Sequence, residues 1–517
     1  MSDTDKLKGT TSLDLESSTT NEDRGTQIKK RFNFWTAVGI AVCTSGAWEG
    51  WTASIAQGLL GGGSVGLLWG WVFVSVGILC MGLALAEFFD SMWPLAGGQY
   101  VWAAKLAPPQ LARLLSWFTA WAALAGMWLG TLSCGIGVSL QIQSYAVISR
   151  GYVPETWHTF LMCVACCGLW IVINIWAVDM LHQINTWVLV IHVTGYFVLI
   201  GVLLGCSSNK HDAKFVFTDF QNHTGWDSNF VSWSVGLLAA LYAFFSLDSA
   251  SHFSEEIPRA NVLVPRAMCL QVVGNSLMTF PFIIVVLFCI GDIDAVLQSP
   301  IGLMSPFTQI IVNSTNSIPA GIILNLISTL VAFVAGCDLT GAVARAIWSM
   351  ARDKALPQFL AKLEPRRNVP VWGNLVLVLP SILVYMIYIW NTTAFYGIMA
   401  GVLVAFQLSY IIPIGLYIVY AAWKKDLIKG PFNLGRLSYP CHVVAFIFGC
   451  FMTIVMSFPV YQPVTAANMN YASILVGAVL ILSLCSWFTW GNKHYQGPLE
   501  NSVHAEDDED SIHAYPA

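Results

Sequence analysis

Four ionisable side chains stand inside apolar runs of this chain, where a lone charge is costly: Glu49, His192, Asp248 and Asp338. Glu49 lies in Gly46-Ala47-Trp48-Glu49-Gly50-Trp51, and Asp248 lies in Ser246-Leu247-Asp248-Ser249-Ala250-Ser251. Each stretch interrupts a hydrophobic run midway. At that depth a helix can break only where it lines a polar cavity or packs inside protein, because hydrocarbon offers its backbone no partner. The freed N–H groups of a broken helix can hold a carboxylate, and its freed C=O groups a cation. This chemistry predicts a solute site. The backbone at Ser45, Gly46 and Gly50 meets a carboxylate if the solute has one. Glu49 and Asp248 face a cationic end, and Trp48, Phe244 and Phe245 wall the site. Aromatic faces beside an acid suit an amine or a quaternary ammonium. Imidazole titrates near neutral pH, so the candidates for a coupling proton are His192, Glu49 and Asp338.

These residues need long apolar elements to hold them, and the composition supplies them. Of the 517 residues, 56% are hydrophobic and 10% charged, where a soluble domain carries roughly a quarter charged residues. Twelve apolar runs are readable, at approximately 34–60, 65–90, 113–147, 159–179, 183–206, 231–254, 267–291, 318–349, 371–390, 394–421, 440–461 and 471–491. The interruptions fall in the first and sixth, which are matching positions if the core is two five-helix halves. Residues 1–33 are polar and expected to be disordered, residues 34–491 form one transmembrane domain, and 492–517 form a solvated tail with the acidic run Glu506 to Asp510.

Lys and Arg set the orientation. With the N-terminus inside, only Arg150, Lys210 and Lys214 of the 24 basic residues fall on outer segments. The sequons at Asn222, Asn313 and Asn391 all fall on the loops this arrangement puts outside, where glycosylation can occur. Both termini are then cytoplasmic. The 13 cysteines sit almost wholly in apolar runs, and Cys163-x-x-Cys166 has no second pair, so they read as packing, with no metal site. No nucleophile–base set, nucleotide loop or metal cluster marks an enzyme, no cofactor is implied, and nothing suggests nucleic acid.

Three stretches carry a resemblance. Glu87 is followed by Pro94-Leu95-Ala96-Gly97-Gly98-Gln99-Tyr100-Val101-Trp102 after the second run. Phe244 to Pro265 contains Asp248 and Glu255-Glu256. Ala344 to Pro357 contains Arg345, Trp348, Arg352 and Asp353. Together they resemble the amino acid–polyamine–organocation superfamily, and within it the fungal amino acid, choline and GABA permeases, over about residues 34–490. The resemblance implies an all-α polytopic fold of twelve transmembrane helices. Its core would be a five-plus-five inverted repeat, with a mid-membrane site between spans one, three, six and eight. It implies uptake of a small amine or amino acid across the bilayer, commonly driven by protons; the outward sequons favour the plasma membrane, with the vacuolar membrane the alternative. Some relatives carry a lysine in the fifth span, where this chain has His192. Glu87, Arg345, Arg352 and Asp353 lie near the inner ends of helices and are expected to form an ion-pair network closing an inner gate. Gly97-Gly98 permits a tight turn, and Pro265 is expected to start the seventh helix. Two other functions fit the same fold class: a nutrient-sensing receptor, and a carrier for a precursor or product of a specialised pathway. The major facilitator architecture fits less well, because the loop after the sixth run is short.

Overall fold

The computed structural model describes residues 30–91, 97–419, 430 and 432–498, and every regular element among them is helical. Pro94-Leu95-Ala96 and most of both tails lie outside the described residues. In chain order the α-helices are α1 (Phe34–Ser45), α2 (Ala47–Ser91), α3 (Gln99–Leu106), α4 (Pro109–Arg150), α5 (Thr156–Trp176), α6 (Leu181–Cys206), α7 (Ala213–Thr218), α8 (Asn229–Gly236) and α9 (Leu238–Tyr242). They continue with α10 (Ala260–Cys289), α11 (Ile293–Gln298), α12 (Pro306–Thr315), α13 (Ile318–Arg352), α14 (Val371–Leu375), α15 (Val378–Trp390), α16 (Ala394–Val419), α17 (Ser438–Val455), α18 (Ala472–Ser486) and α19 (Asn492–His494). Ten described helical stretches are long and apolar enough to cross a membrane. The chain is an all-α polytopic membrane protein.

The first stretch, Phe34–Asp90, has 57 residues, which as one straight helix would be about 85 Å long, far beyond the ~30 Å of hydrocarbon. Two glycines resolve this. Asn33 caps α1 through the amide of Thr36 at 3.0 Å, and Gly46, left-handed at φ 50°, ends it. Gly63, at φ 62° and ψ −150°, folds α2 back on itself. A Cβ on Gly58 would stand 2.1 Å from Leu67 Cδ2, so the two arms lie side by side.

The sixth apolar run of the sequence, 231–254, is broken too. α8 and α9 end at Tyr242, and Ser249–Glu256 resumes as a 3₁₀ helix. Between them Ser246 is left-handed, at φ 58°.

The far-reaching arms of the two broken stretches pack through small residues. A Cβ on Gly50 would stand 3.3 Å from Ala243 Cα, Ser54 Oγ donates to Ala239 O at 3.3 Å, and a Cβ on Gly61 would stand 2.6 Å from Gly236 Cα. Small side chains let helix backbones approach where lipid gives no hydrophobic drive to associate. At the other end, the amides of Arg31 and Phe32 both donate to Glu256 O at 3.0 Å. The start of α1 is thereby tied to the end of the 3₁₀ helix. That side of the protein is called here the N-terminal face. The helix expected to start at Pro265, α10, begins at Ala260 behind left-handed Arg259 (φ 50°) and contains Pro265, so Pro265 is not its first residue.

Candidate functional site

The two interruptions place their acids in unlike surroundings. Glu49 Oε1 is 2.8 Å from Nδ1 of His192 on α6. Its other oxygen, Oε2, has no hydrogen-bond partner among the described residues. That oxygen lies over Gly46, 3.6 Å from where a Cβ would stand. Glu49 is 3% exposed and His192 is fully buried. Trp48 stacks on the His192 ring with centroids 5.8 Å apart, and its other neighbour is Phe282 of α10 at 5.2 Å.

Asp338 comes from α13. Its Oδ1 accepts from Asn185 of α6 at 3.0 Å, and its Oδ2 has no partner among the described residues. Cys43, Val188, Val331 and Val334 form a small apolar cluster that joins α1, α6 and α13. The three candidates for the proton therefore sit on adjoining elements.

Asp248 is saturated. Oδ1 accepts from Tyr410 on α16 at 2.5 Å, while Oδ2 pairs with His252 Nε2 at 2.6 Å and accepts from Gln99 of α3. Gly98, at φ 54°, brings α3 against the 3₁₀ helix, and a Cβ there would stand 3.2 Å from Ser251 Oγ. This explains the second glycine of the pair: a side chain at 98 would be both strained and crowded.

The aromatic residues also divide. Phe245 lies between α4 and α13: a Cβ on Gly130 would stand 3.5 Å from the Phe245 ring and 3.2 Å from Leu339. Phe244 turns to α2 and stacks on Trp71 with centroids 4.8 Å apart. Ser45 Oγ donates to Ala41 O at 3.2 Å and accepts from Gln271 of α10.

The N-terminal face carries the charged cluster. Arg345 Nε donates to Glu256 Oε1 at 2.5 Å, Nη1 donates to Gly341 O at 2.9 Å, and the guanidinium lies 4.3 Å over Phe253. Arg352 pairs with Glu255 at 3.0 Å and lies 3.5 Å from Asp353, which accepts from Tyr100 OH at 2.7 Å. Glu87 stands near the end of α2. It accepts from Ser438 Oγ at 2.7 Å and Leu434 N at 3.3 Å, beside α17. The acids against these two arginines are Glu256 at Arg345 and Glu255 with Asp353 at Arg352. Sequence reasoning gave Gln99, His252, Gln271 and Tyr410 no role. An amide alone in an apolar run was the available signal for Gln271.

The three sequon asparagines lie away from that face. Asn222 Oδ1 accepts from Thr224 N at 3.1 Å and Ser232 Oγ at 2.8 Å, and Nδ2 donates to Trp226 O at 2.8 Å. Asn391 Oδ1 accepts from Thr393 N at 3.0 Å. Asn313 is exposed on α12.

A family model described as amino acid permease matches residues 32–480. Over 486 residues the chain is 30% identical to the choline transporter of Saccharomyces cerevisiae, covering 93% of this chain and 84% of that protein. It is 28% identical to amino-acid permease 2 of Neurospora crassa, covering 93% and 88%. It is 25% identical to the GABA-specific permease of Saccharomyces cerevisiae, covering 92% and 84%.

Proposed function

The chain belongs to the amino acid permease family, and from that premise we propose that it is a secondary active transporter of a small amino-bearing solute, working by alternating access. The relatives' names span amino acids, choline and GABA, which share a cationic nitrogen. The observation that carries the reading is the unbonded Glu49 Oε2, buried at a helix interruption. A carboxylate oxygen held in low dielectric beside an aromatic ring suits an ammonium group. Asp248 has no such oxygen to offer, so its work is to tie the 3₁₀ half-helix to α3 and α16. Phe245 and Trp48 flank the solute.

The coupling ion in this reading is a proton shared among Glu49, His192 and Asp338. The chain crosses twelve times: the fold-back at Gly63 makes two crossings of the first stretch, and α8, α9 and the 3₁₀ helix together make the sixth. The core is the five-plus-five inverted repeat, and the N-terminal face is cytoplasmic at the plasma membrane, as the basic residues and the sequons favour.

The test is uptake by the full chain in proteoliposomes at clamped potential, with labelled choline, GABA and amino acids. With one proton per solute, one pH unit, inside alkaline, supports about tenfold accumulation. Equal uptake with and without the gradient rejects proton coupling. Uptake of none of the solutes rejects transport.

A further inference from the structure

Three residues spaced four apart, Gln271, Asn275 and Thr279, fall on one face of α10. All three are buried, at 0%, 1% and 0% exposure. Each has a polar atom with no hydrogen-bond partner among the described residues: Gln271 Oε1, Asn275 Nδ2 and Thr279 Oγ1. Buried polar atoms are normally paired, so three in register on one helix face point to a ligand.

Gln271 also fixes where that face meets the site. Its Nε2 donates to Ser45 Oγ and, at 3.5 Å, to Ser246 O. One side chain thus bridges both interruptions. A carbonyl oxygen can only accept, so the bond to Ser246 O sets the sense of the amide and leaves Oε1 as the free acceptor. Ser246 Oγ is another buried atom with no partner among the described residues. The free oxygen of Glu49 lies over Gly46, the residue after Ser45. An acid and a neutral polar face therefore adjoin at the same break.

We infer that the α10 face Gln271–Asn275–Thr279, with Ser246, is a subsite for a hydroxyl group on the solute, whose ammonium meets Glu49. The inference rests on the transport reading above and narrows it to amino alcohols. Asn275 and the two hydroxyls donate, and Gln271 Oε1 accepts. A hydroxyl does both and matches this set. A carboxylate only accepts, and it would face Gln271 Oε1 unfavourably. No Lys or Arg occurs between Ala267 and Cys289 to offset its charge. An alkyl end would leave all of these atoms unpaired, and sites built to bond a hydroxyl reject analogues that lack it.

Two matched sets of ligands test this on the purified full chain, with affinity read from thermal stabilisation. One set is choline, ethyltrimethylammonium and glycine betaine. The other is 4-aminobutanol, butylamine and GABA. Within each set the cation is constant and the far end is hydroxyl, alkyl or carboxylate. The hydroxyl member of at least one set should bind about tenfold or more tighter than both counterparts. Asn275→Leu and Thr279→Val should shrink that ratio to about threefold or less while leaving alkyl affinity unchanged. A general loss of structure would lower all affinities together and leave the ratio standing. A carboxylate preferred over a hydroxyl, or a ratio unchanged in both variants, overturns the subsite and leaves transport intact. Binding of none of the six overturns the subsite, and the uptake assay with amino acids then decides the transport reading.

Discussion

Glu49→Gln is expected to lower net uptake by two to three orders of magnitude at subsaturating solute. The change keeps the shape and removes the charge, and breaking one side of a buried ionic contact costs about 3–5 kcal/mol. His192, 2.8 Å away, keeps a polar partner in the glutamine, so local packing survives. Net uptake alone does not say which job Glu49 has. Solute exchange at equal pH on both sides does. If Glu49 grips the ammonium, exchange falls as far as net uptake. If Glu49 carries the coupling proton, glutamine mimics its protonated form, and exchange continues while concentrative uptake stops. Wild-type uptake and exchange in the variant would remove Glu49 from the site altogether. His192→Gln separates the pair from the other side: a proton role predicts a lost response to the pH gradient with exchange retained.

Arg345→Gln is expected to unlatch the N-terminal face. Arg345 and Glu256 are buried, with side chains 4% and 2% exposed. Glu256 also receives the amides of Arg31 and Phe32 on its carbonyl. One residue thus holds α13 through its side chain and the start of α1 through its backbone. Removing the arginine leaves a buried carboxylate unpaired, at a cost of about 3–5 kcal/mol, which exposure to water would relieve. A two-state gate biased by that much shifts its populations by two to three orders of magnitude. A cysteine placed at Ser254, 2% exposed in the closed arrangement, reports the change. Its labelling by an impermeant maleimide from the N-terminal face should rise at least about tenfold in Arg345→Gln. Adding Glu256→Gln should return labelling towards the original rate, because two amides leave no buried charge. Equal labelling in all three proteins would show that the pair does not hold the gate.

The interruptions themselves were legible because local chemistry dictates them: glycines and an acid inside an apolar run, and a serine-rich break with a second acid. The ninth apolar run, 371–390, coincides with the helical stretch Val371–Trp390, since it is bounded by Pro370 and Asn391. The division of labour between Glu49 and Asp248 was not legible. It depends on Gln99 and Tyr410, 149 and 162 residues from Asp248, and no local pattern encodes that saturation. The same holds for Glu87. Near a helix end it was expected in a network with Arg345, Arg352 and Asp353, but α17 supplies it with Ser438, and Glu256 reaches Arg345. Small residues at 50, 54 and 61 were visible as glycine and serine, yet their purpose appears only when Ala243, Ala239 and Gly236 stand opposite.

The coil of Ser249–Glu256 has a mechanical consequence. Its eight residues are wound as a 3₁₀ helix, which rises about 2.0 Å per residue against 1.5 Å for an α-helix, so rewinding would shorten it by about 4 Å. Hydrogen bonds in the tighter winding have poorer geometry, so the looser one is reachable without a new partner. Spin labels flanking the segment should draw together by about that distance when the N-terminal face opens. The segment is a telescoping rod: rewinding draws its acidic tip back from Arg345 and Arg352, and the start of α10 follows it.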